Sequence, residues 1–295
     1  MKKFALLTGL IIGVGILITF SLSLGSEKGV VRVGYPNNPH LAPLFIAVDK
    51  GLFENQGLKV ALKKFGSSSD LSYALLTKKI DIGFVEPPRA SRLLNEHKQV
   101  EIKIAGTINF PYGATLVVRR DLAIRLTDLE GLKIAAEDED CVLVRQFKQD
   151  AKRYGVNVDQ INFIYMVFDL MLPALEARKV DAVLTKGSYA FLAELEGHKT
   201  LYQNWEVKPG GDECCPPYLA SVEYFMLVKG LEAKTINQLR AGLEAASKAS
   251  LEDSYKAIIN HTGFPAESLA DFPVTEYANL SEELKKELGE WVWKE

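Results

Sequence analysis

Leu58-Lys-Val-Ala-Leu-Lys-Lys-Phe-Gly-Ser-Ser-Ser-Asp-Leu-Ser-Tyr-Ala-Leu-Leu-Thr-Lys-Lys-Ile-Asp-Ile-Gly-Phe-Val85 reads as strand, turn, helix and strand in succession. Leu58 to Phe65 is strand-like, Gly66 to Asp70 is turn chemistry, and Leu71 to Leu76 begins a helix. Ile80 to Val85 is an apolar strand that Glu86-Pro87-Pro88 stops. Upstream, Val30 to Tyr35 is a strand ended by Pro36-Asn37-Asn38-Pro39. Leu41 to Phe53 then carries Leu41, Leu44, Phe45, Val48 and Leu52 at helical spacing. Downstream, Arg89 to Glu96 reads as a helix, and Val100 to Ala105 and Ala114 to Val118 as strands.

The alternation restarts after Asp128-Leu129-Glu130-Gly131. Strands are expected at Leu132 to Ala136, Ile161 to Met166 and Val180 to Leu184, with helices at Val142 to Tyr154, Met171 to Arg178 and Ser188 to Leu195. Val222 to Val228 reads as a strand returning to the first unit, followed by helices over Leu231 to Thr262 and Ser281 to Trp293. The fold class is therefore α/β: two lobes, each a mostly parallel sheet flanked by helices. Residues 30–113 and 226–295 are assigned to lobe 1 and 114–225 to lobe 2, with crossings near Asn109 to Thr115 and near Tyr218 to Phe225. Strand ends then face a cleft between the lobes, the edge where open α/β sheets hold ligands, and two crossing strands make a hinge.

The chain has 295 residues, 47% hydrophobic and 25% charged, with a net charge of -3. No basic cluster points to nucleic acid. Three cysteines are too few for a disulfide scaffold. Lys2 and Lys3 precede an uncharged stretch from Phe4 to Leu24, so residues 1–26 read as a signal peptide with cleavage near Gly25 or Ser26. An uncleaved anchor is the alternative. Either way the remainder is expected outside the cytoplasm. No nucleophile elbow, Walker loop, dinucleotide fingerprint or His-Glu-x-x-His motif occurs, so no catalytic residue, metal ligand or cofactor is assigned. His97 and His198 fall in polar stretches and are expected to be exposed.

Several segments carry a resemblance: Val31-Arg-Val-Gly-Tyr35, Pro43-Leu-Phe-Ile-Ala-Val-Asp-Lys-Gly-Leu-Phe53, Gly57-Leu-Lys-Val60, Gly66-Ser-Ser-Ser-Asp70 and Ala74-Leu-Leu-Thr-Lys-Lys-Ile-Asp-Ile-Gly83. Lobe 2 adds Asp128-Leu-Glu-Gly-Leu-Lys-Ile-Ala135 and Ala174-Leu-Glu-Ala-Arg-Lys-Val-Asp-Ala-Val183. Over nearly all of the chain after the signal segment, the sequence resembles the periplasmic substrate-binding proteins of ABC importers. The group includes sulfonate, taurine and nitrate binders and thiamine-pyrimidine-synthase-like (NMT1/THI5-like) proteins. The resemblance implies a type II periplasmic-binding-protein fold, a monomer, a small-molecule solute, and ABC importer permease subunits as partners. Two departures stand out. Glu137-Asp138-Glu139-Asp140-Cys141 replaces the family's Gly/Ser-rich turn, and Lys186-Gly187 replaces a common Glu-Pro.

Residues at strand ends are the ligand-binding candidates: Tyr35, Asn37, Asn38 and His40 after the first strand; Ser67, Ser68 and Ser69 at a helix start, where backbone N–H groups and hydroxyls can donate; and Glu86 after the third strand. Asn109 and Tyr112 lie at the first crossing. Asp138, Asp140, Cys141 and Lys186 come from lobe 2, and Cys214 and Cys215 from the stretch before the returning strand. The alternatives are an N-cap role for the serines, turn chemistry for the asparagines, and a solvated face for the acids. Carboxylates opposite a serine turn point to an amine-bearing or zwitterionic solute rather than a simple anion. Two other readings stay open: a pyrimidine-synthase-like enzyme, or a metal-dependent binder using Cys214 and Cys215.

Overall fold

The computed structural model describes residues 29–110, 113–139, 141–204, 222–269, 272 and 275–294. The quoted stretch forms β2 (Lys59–Phe65), α2 (Ser68–Leu76) and β3 (Ile82–Val85). β1 (Val30–Pro36) pairs parallel with both strands, giving the order β2-β1-β3. All four residues of β3 are buried, as suits a strand covered on both faces. α1 (Ala42–Asp49) covers one face with Leu44, Phe45 and Ile46, and α3 (Pro87–Glu96) helps cover the other with Ala90, Leu93 and Leu94. Each of the leucine, isoleucine and phenylalanine side chains contributes roughly 1.5–3 kcal/mol on burial.

Lobe 2 repeats this plan. β6 (Lys133–Ala136) pairs parallel with β7 (Asn162–Tyr165) and β8 (Ala182–Lys186), joined through α4 (Val142–Arg153) and α5 (Phe168–Glu176). The repetition reaches single residues. Asp81 N donates to Arg32 O and Asp81 Oδ2 accepts from Arg32 N, while Asp181 makes the same pair of bonds with Lys133. Lys78 and Arg178, just after α2 and α5, both have left-handed backbone, φ 57° and 56°.

The remaining strand pairings are antiparallel. β4 (Ile102–Asn109) leads out of lobe 1, and β5 (Ala114–Val118) enters lobe 2 antiparallel to β8. After α6 (Gly187–Leu195), β9 (Lys199–Gln203) pairs antiparallel with β5. β10 (Val222–Lys229) then lies between β3 and β4, antiparallel to both. α7 (Ala233–Ala246), α8 (Leu251–Thr262), β11 (Glu276–Ala278) and α9 (Glu282–Leu288) complete the described chain. The sheets are ordered β11-β4-β10-β3-β1-β2 and β7-β6-β8-β5-β9. Both are mixed, with parallel pairing confined to β1–β2–β3 and β6–β7–β8. The expected mostly parallel character ends where strands carry the chain between sheets.

β10 pairs with β4 from Val222, the residue at which the returning strand is read from the sequence. Two other readings differ from the structure. The expected helix from Leu231 to Thr262 is broken near Ser250, whose side chain caps α8 by accepting from Asp253 N. His198 is buried rather than exposed: its Nδ1 accepts from Arg120 N at 3.1 Å and its Nε2 lies 2.6 Å from Glu176. Among the described residues, no helix is long and apolar enough to cross a membrane. The segment 1–26 lies outside the described residues.

Candidate functional site

The strand ends of both lobes meet across a cleft. Lobe 1 supplies Asn37 and Asn38 after β1, Phe65 to Ser68 after β2, Glu86 after β3, and Tyr224 from β10. Lobe 2 supplies Glu137 after β6, Val167, Phe168 and Asp169 at the start of α5, and Tyr189 from α6. Matching places in the repeat therefore face one another, with Glu86 ending β3 and Lys186 ending β8.

The two form a buried bridge. Lys186 Nζ donates to Glu86 Oε1 (2.6 Å), to Tyr224 OH (2.8 Å) and to Glu223, with the lysine only 2% exposed. One ammonium between two carboxylates fully neutralises only one of them. Burial, reinforced by Glu137 and Glu223, raises Glu86 to about 7 despite Lys186. Burial also opposes ionisation of Glu223, but Lys186 and His40 hold it down to about 2. Burial alone would lower the Lys186 pKa, yet Glu223 and Glu86 raise it well above its ordinary value.

Asn38 supports this centre. Its Oδ1 accepts from His40 N (2.8 Å) and its Nδ2 donates to Tyr224 OH (2.9 Å). The His40 ring stacks on Phe110 with centroids 3.4 Å apart, and its Nδ1 lies 3.3 Å from Glu223. Burial lowers the His40 pKa, against the opposing effect of Glu223. Tyr35 is buried edge-on to Phe45 in the core, and Asn109 ends β4; neither lines the cleft.

The serine turn is committed to protein partners. Ser67 caps α2, accepting from Asp70 N and donating to Asp70 Oδ2 (2.9 Å). Ser68 Oγ donates across the cleft to Glu137 (3.0 Å), and Ser69 Oγ accepts from Arg89 (3.0 Å). Arg89 also forms an ion pair with Asp138 of the opposite lobe. At the mouth, Asp169 accepts from Asn37 Nδ2 (3.3 Å) and Tyr189 OH (3.0 Å). Tyr112, Asp140, Cys214 and Cys215 lie outside the described residues.

Cys141 is a buried free thiol preceding α4, with Sγ 4.0 Å from Glu86 Oε2. Burial, then Glu86 and Glu137, push its pKa well up, so it is a thiol rather than a thiolate. Donor atoms of Glu86, Glu137 and Cys141 lie within 4.8 Å of one another, a spacing that a metal ion could bridge. Lys186 beside Glu86 and the protonated thiol both oppose that use.

Sequence reasoning missed Phe168, Asp169, Tyr189, Glu223 and Tyr224 as candidates. Two signals were available. Phe168-Asp169 occupies the strand-to-helix turn of lobe 2 that corresponds to the serine turn of lobe 1, and Glu223 is an acid inside an otherwise apolar strand run.

Two mixed α/β sheets that meet at a cleft between their strand ends match the type II periplasmic-binding-protein fold. The chain belongs to the NMT1/THI5-like family, whose profile matches residues 38–249. The alkanesulfonate-binding protein SsuA from Xanthomonas axonopodis pv. citri, bound to MOPS, superposes with a TM-score of 0.70 at 20% identity, over 89% of this chain and 90% of that one. The nitrate-binding protein NrtA from Synechocystis PCC 6803 gives 0.66 at 13% identity, over 88% and 77%. A zinc-bound ligand-binding component of an ABC-type import system from Staphylococcus aureus gives 0.66 at 18% identity, over 88% and 90%. A 4-amino-5-hydroxymethyl-2-methylpyrimidine phosphate synthase from Aspergillus parasiticus is 34% identical over 61 residues, which span 21% of this chain and 18% of that protein.

Proposed function

We propose that this protein is the extracytoplasmic solute-binding component of an ABC-type importer and captures a small, polar, amine-bearing or zwitterionic organic solute between its lobes. The observation that carries the reading is the cleft lining: Glu86, Glu137 and Asp169 beside the rings of Phe65, Phe168 and Tyr189. Carboxylates and aromatic faces favour an ammonium and disfavour a sulfonate or nitrate. The solute binds better where both lobes touch it, so it shifts the population toward closure, and the closed form is the one presented to membrane permease subunits. Mass spectrometry of small molecules released on denaturing natively purified protein tests the reading. A stoichiometric amine supports it, and a stoichiometric sulfonate would refute the ligand class.

The short identity with the pyrimidine phosphate synthase favours a second reading, an enzyme making a related pyrimidine. Appearance of that product on incubation with cell extract, lost on heat denaturation, would favour the enzyme over the binder.

A further inference from the structure

We propose that the cleft selects a ligand with two cationic nitrogens and no anionic group, such as a diamine or an amino-guanidine, and rejects zwitterions. The inference rests on the solute-binding reading above and narrows its ligand class.

Charge is the first argument. Four carboxylates, those of Glu86, Glu137, Asp169 and Glu223, share the cleft and its floor, and Lys186 is the one ammonium set among them. Arg89 is already paired with Asp138. The cleft thus lacks two or three positive charges among the described residues, depending on whether Glu86 holds a proton. A mono-cation leaves that deficit open, and a zwitterion adds nothing to close it.

Position is the second. Glu86 is 5% exposed and its donor atoms cluster with those of Glu137, so one acidic pole lies deep. Asp169 lies in the exposed first turn of α5 and forms a separate pole at the mouth. Phe65, Val167 and Phe168 line the same space, offering an apolar wall for a methylene chain linking two nitrogens.

The third argument is what an anion would find. The hydroxyls of Ser67 and Ser68 already donate to Asp70 and Glu137, and the carboxylate of Asp70 offsets the dipole of α2. Two of the hydroxyl donors that could receive a sulfonate or a ligand carboxylate at this turn are thereby taken by protein carboxylates. The cleft also seats one ammonium of its own: Lys186 Nζ lies 5.3 Å from the Phe168 ring centroid and 4.6 Å from that of Tyr224. The same rings and acids suit a ligand ammonium.

Titration calorimetry at low salt with the α,ω-diamines from propane-1,3-diamine to hexane-1,6-diamine, butan-1-amine, agmatine, glycine betaine and taurine tests this. At least one diamine or agmatine should bind about tenfold or more tighter than butan-1-amine, whose single charge loses one of two attractions. Asp169→Asn should weaken that probe about three- to tenfold, as loss of one partly exposed carboxylate contact implies, and narrow its margin over butan-1-amine. Glu137→Gln should weaken both. Asp169 is exposed, so its variant should fold, and circular dichroism checks that it does. Equal binding of butan-1-amine and every diamine would overturn the two-nitrogen inference. Tighter binding of taurine or glycine betaine would overturn it while leaving a solute binder in place. Binding of no probe, together with no co-purified small molecule, would overturn both it and the reading on which it rests.

Discussion

Glu86 is the residue where burial and charge compete most directly. Its folded pKa of about 7 exceeds the ordinary 4.5, so the folded state holds a proton that the unfolded chain has released. The resulting stabilisation is complete below about pH 4.5 and is lost as pH rises through about 7. Glu86→Gln removes this dependence. Measured by urea unfolding, the variant should gain on the wild type by about 3 kcal/mol between about pH 4.5 and pH 7.5, at ~1.4 kcal/mol per pH decade. A difference that stays constant over that range would show that Glu86 titrates normally. Lys186→Met leaves Glu86 and Glu223 buried without their cation, and should cost about 3–5 kcal/mol near neutral pH. Protonation of Glu86 should recover part of that loss at lower pH. Glu86 and Lys186 were both legible as strand-end residues. Their partnership was not, because contact between residues 86 and 186 exists only once two lobes face each other.

At the scale of elements, the turn after β2 caps the helix that follows it. Ser67→Ala removes a helix cap and should lower stability by about 1 kcal/mol. Because Ser67 is bonded within its own turn, solute affinity measured by calorimetry should be unchanged. The left-handed residues Lys78 and Arg178 offer a second test. Glycine at either position should be neutral or stabilise by up to about 1 kcal/mol, and valine should cost about 1–2 kcal/mol, read as shifts in Tm. The repeated strands and helices were readable because each follows local periodicity and turn chemistry. β9 and β11 were not read: they are short, and pairing with β5 and β4 creates them. The same limit hid Glu223 and Tyr224, which looked like strand residues and reach the site only because β10 lies between β3 and β4.

For the molecule as a whole, the lobes are tied across the cleft by Arg89–Asp138, Ser68–Glu137 and Asn37–Asp169. These bonds exist only when the lobes are close, so they bias the population toward closure. Arg89→Ala should therefore increase the radius of gyration of unliganded protein in small-angle X-ray scattering. It should also weaken solute binding about two- to fivefold, as expected for losing one partly exposed ion pair. An unchanged radius and affinity would show that the pair follows closure without favouring it.

The position of β10 has a consequence for the order in which the chain acquires its shape. Lobe 2 is built from one continuous run, with every strand of its sheet between residues 114 and 203. Lobe 1 is not: β3 and β4 are joined only by a strand that emerges after all of lobe 2. A chain synthesised from its N-terminus must therefore hold β4, and the edge of β3 away from β1, unpaired while its second lobe matures. That interval is when aggregation is most probable and when a holding chaperone would have the most exposed strand to protect.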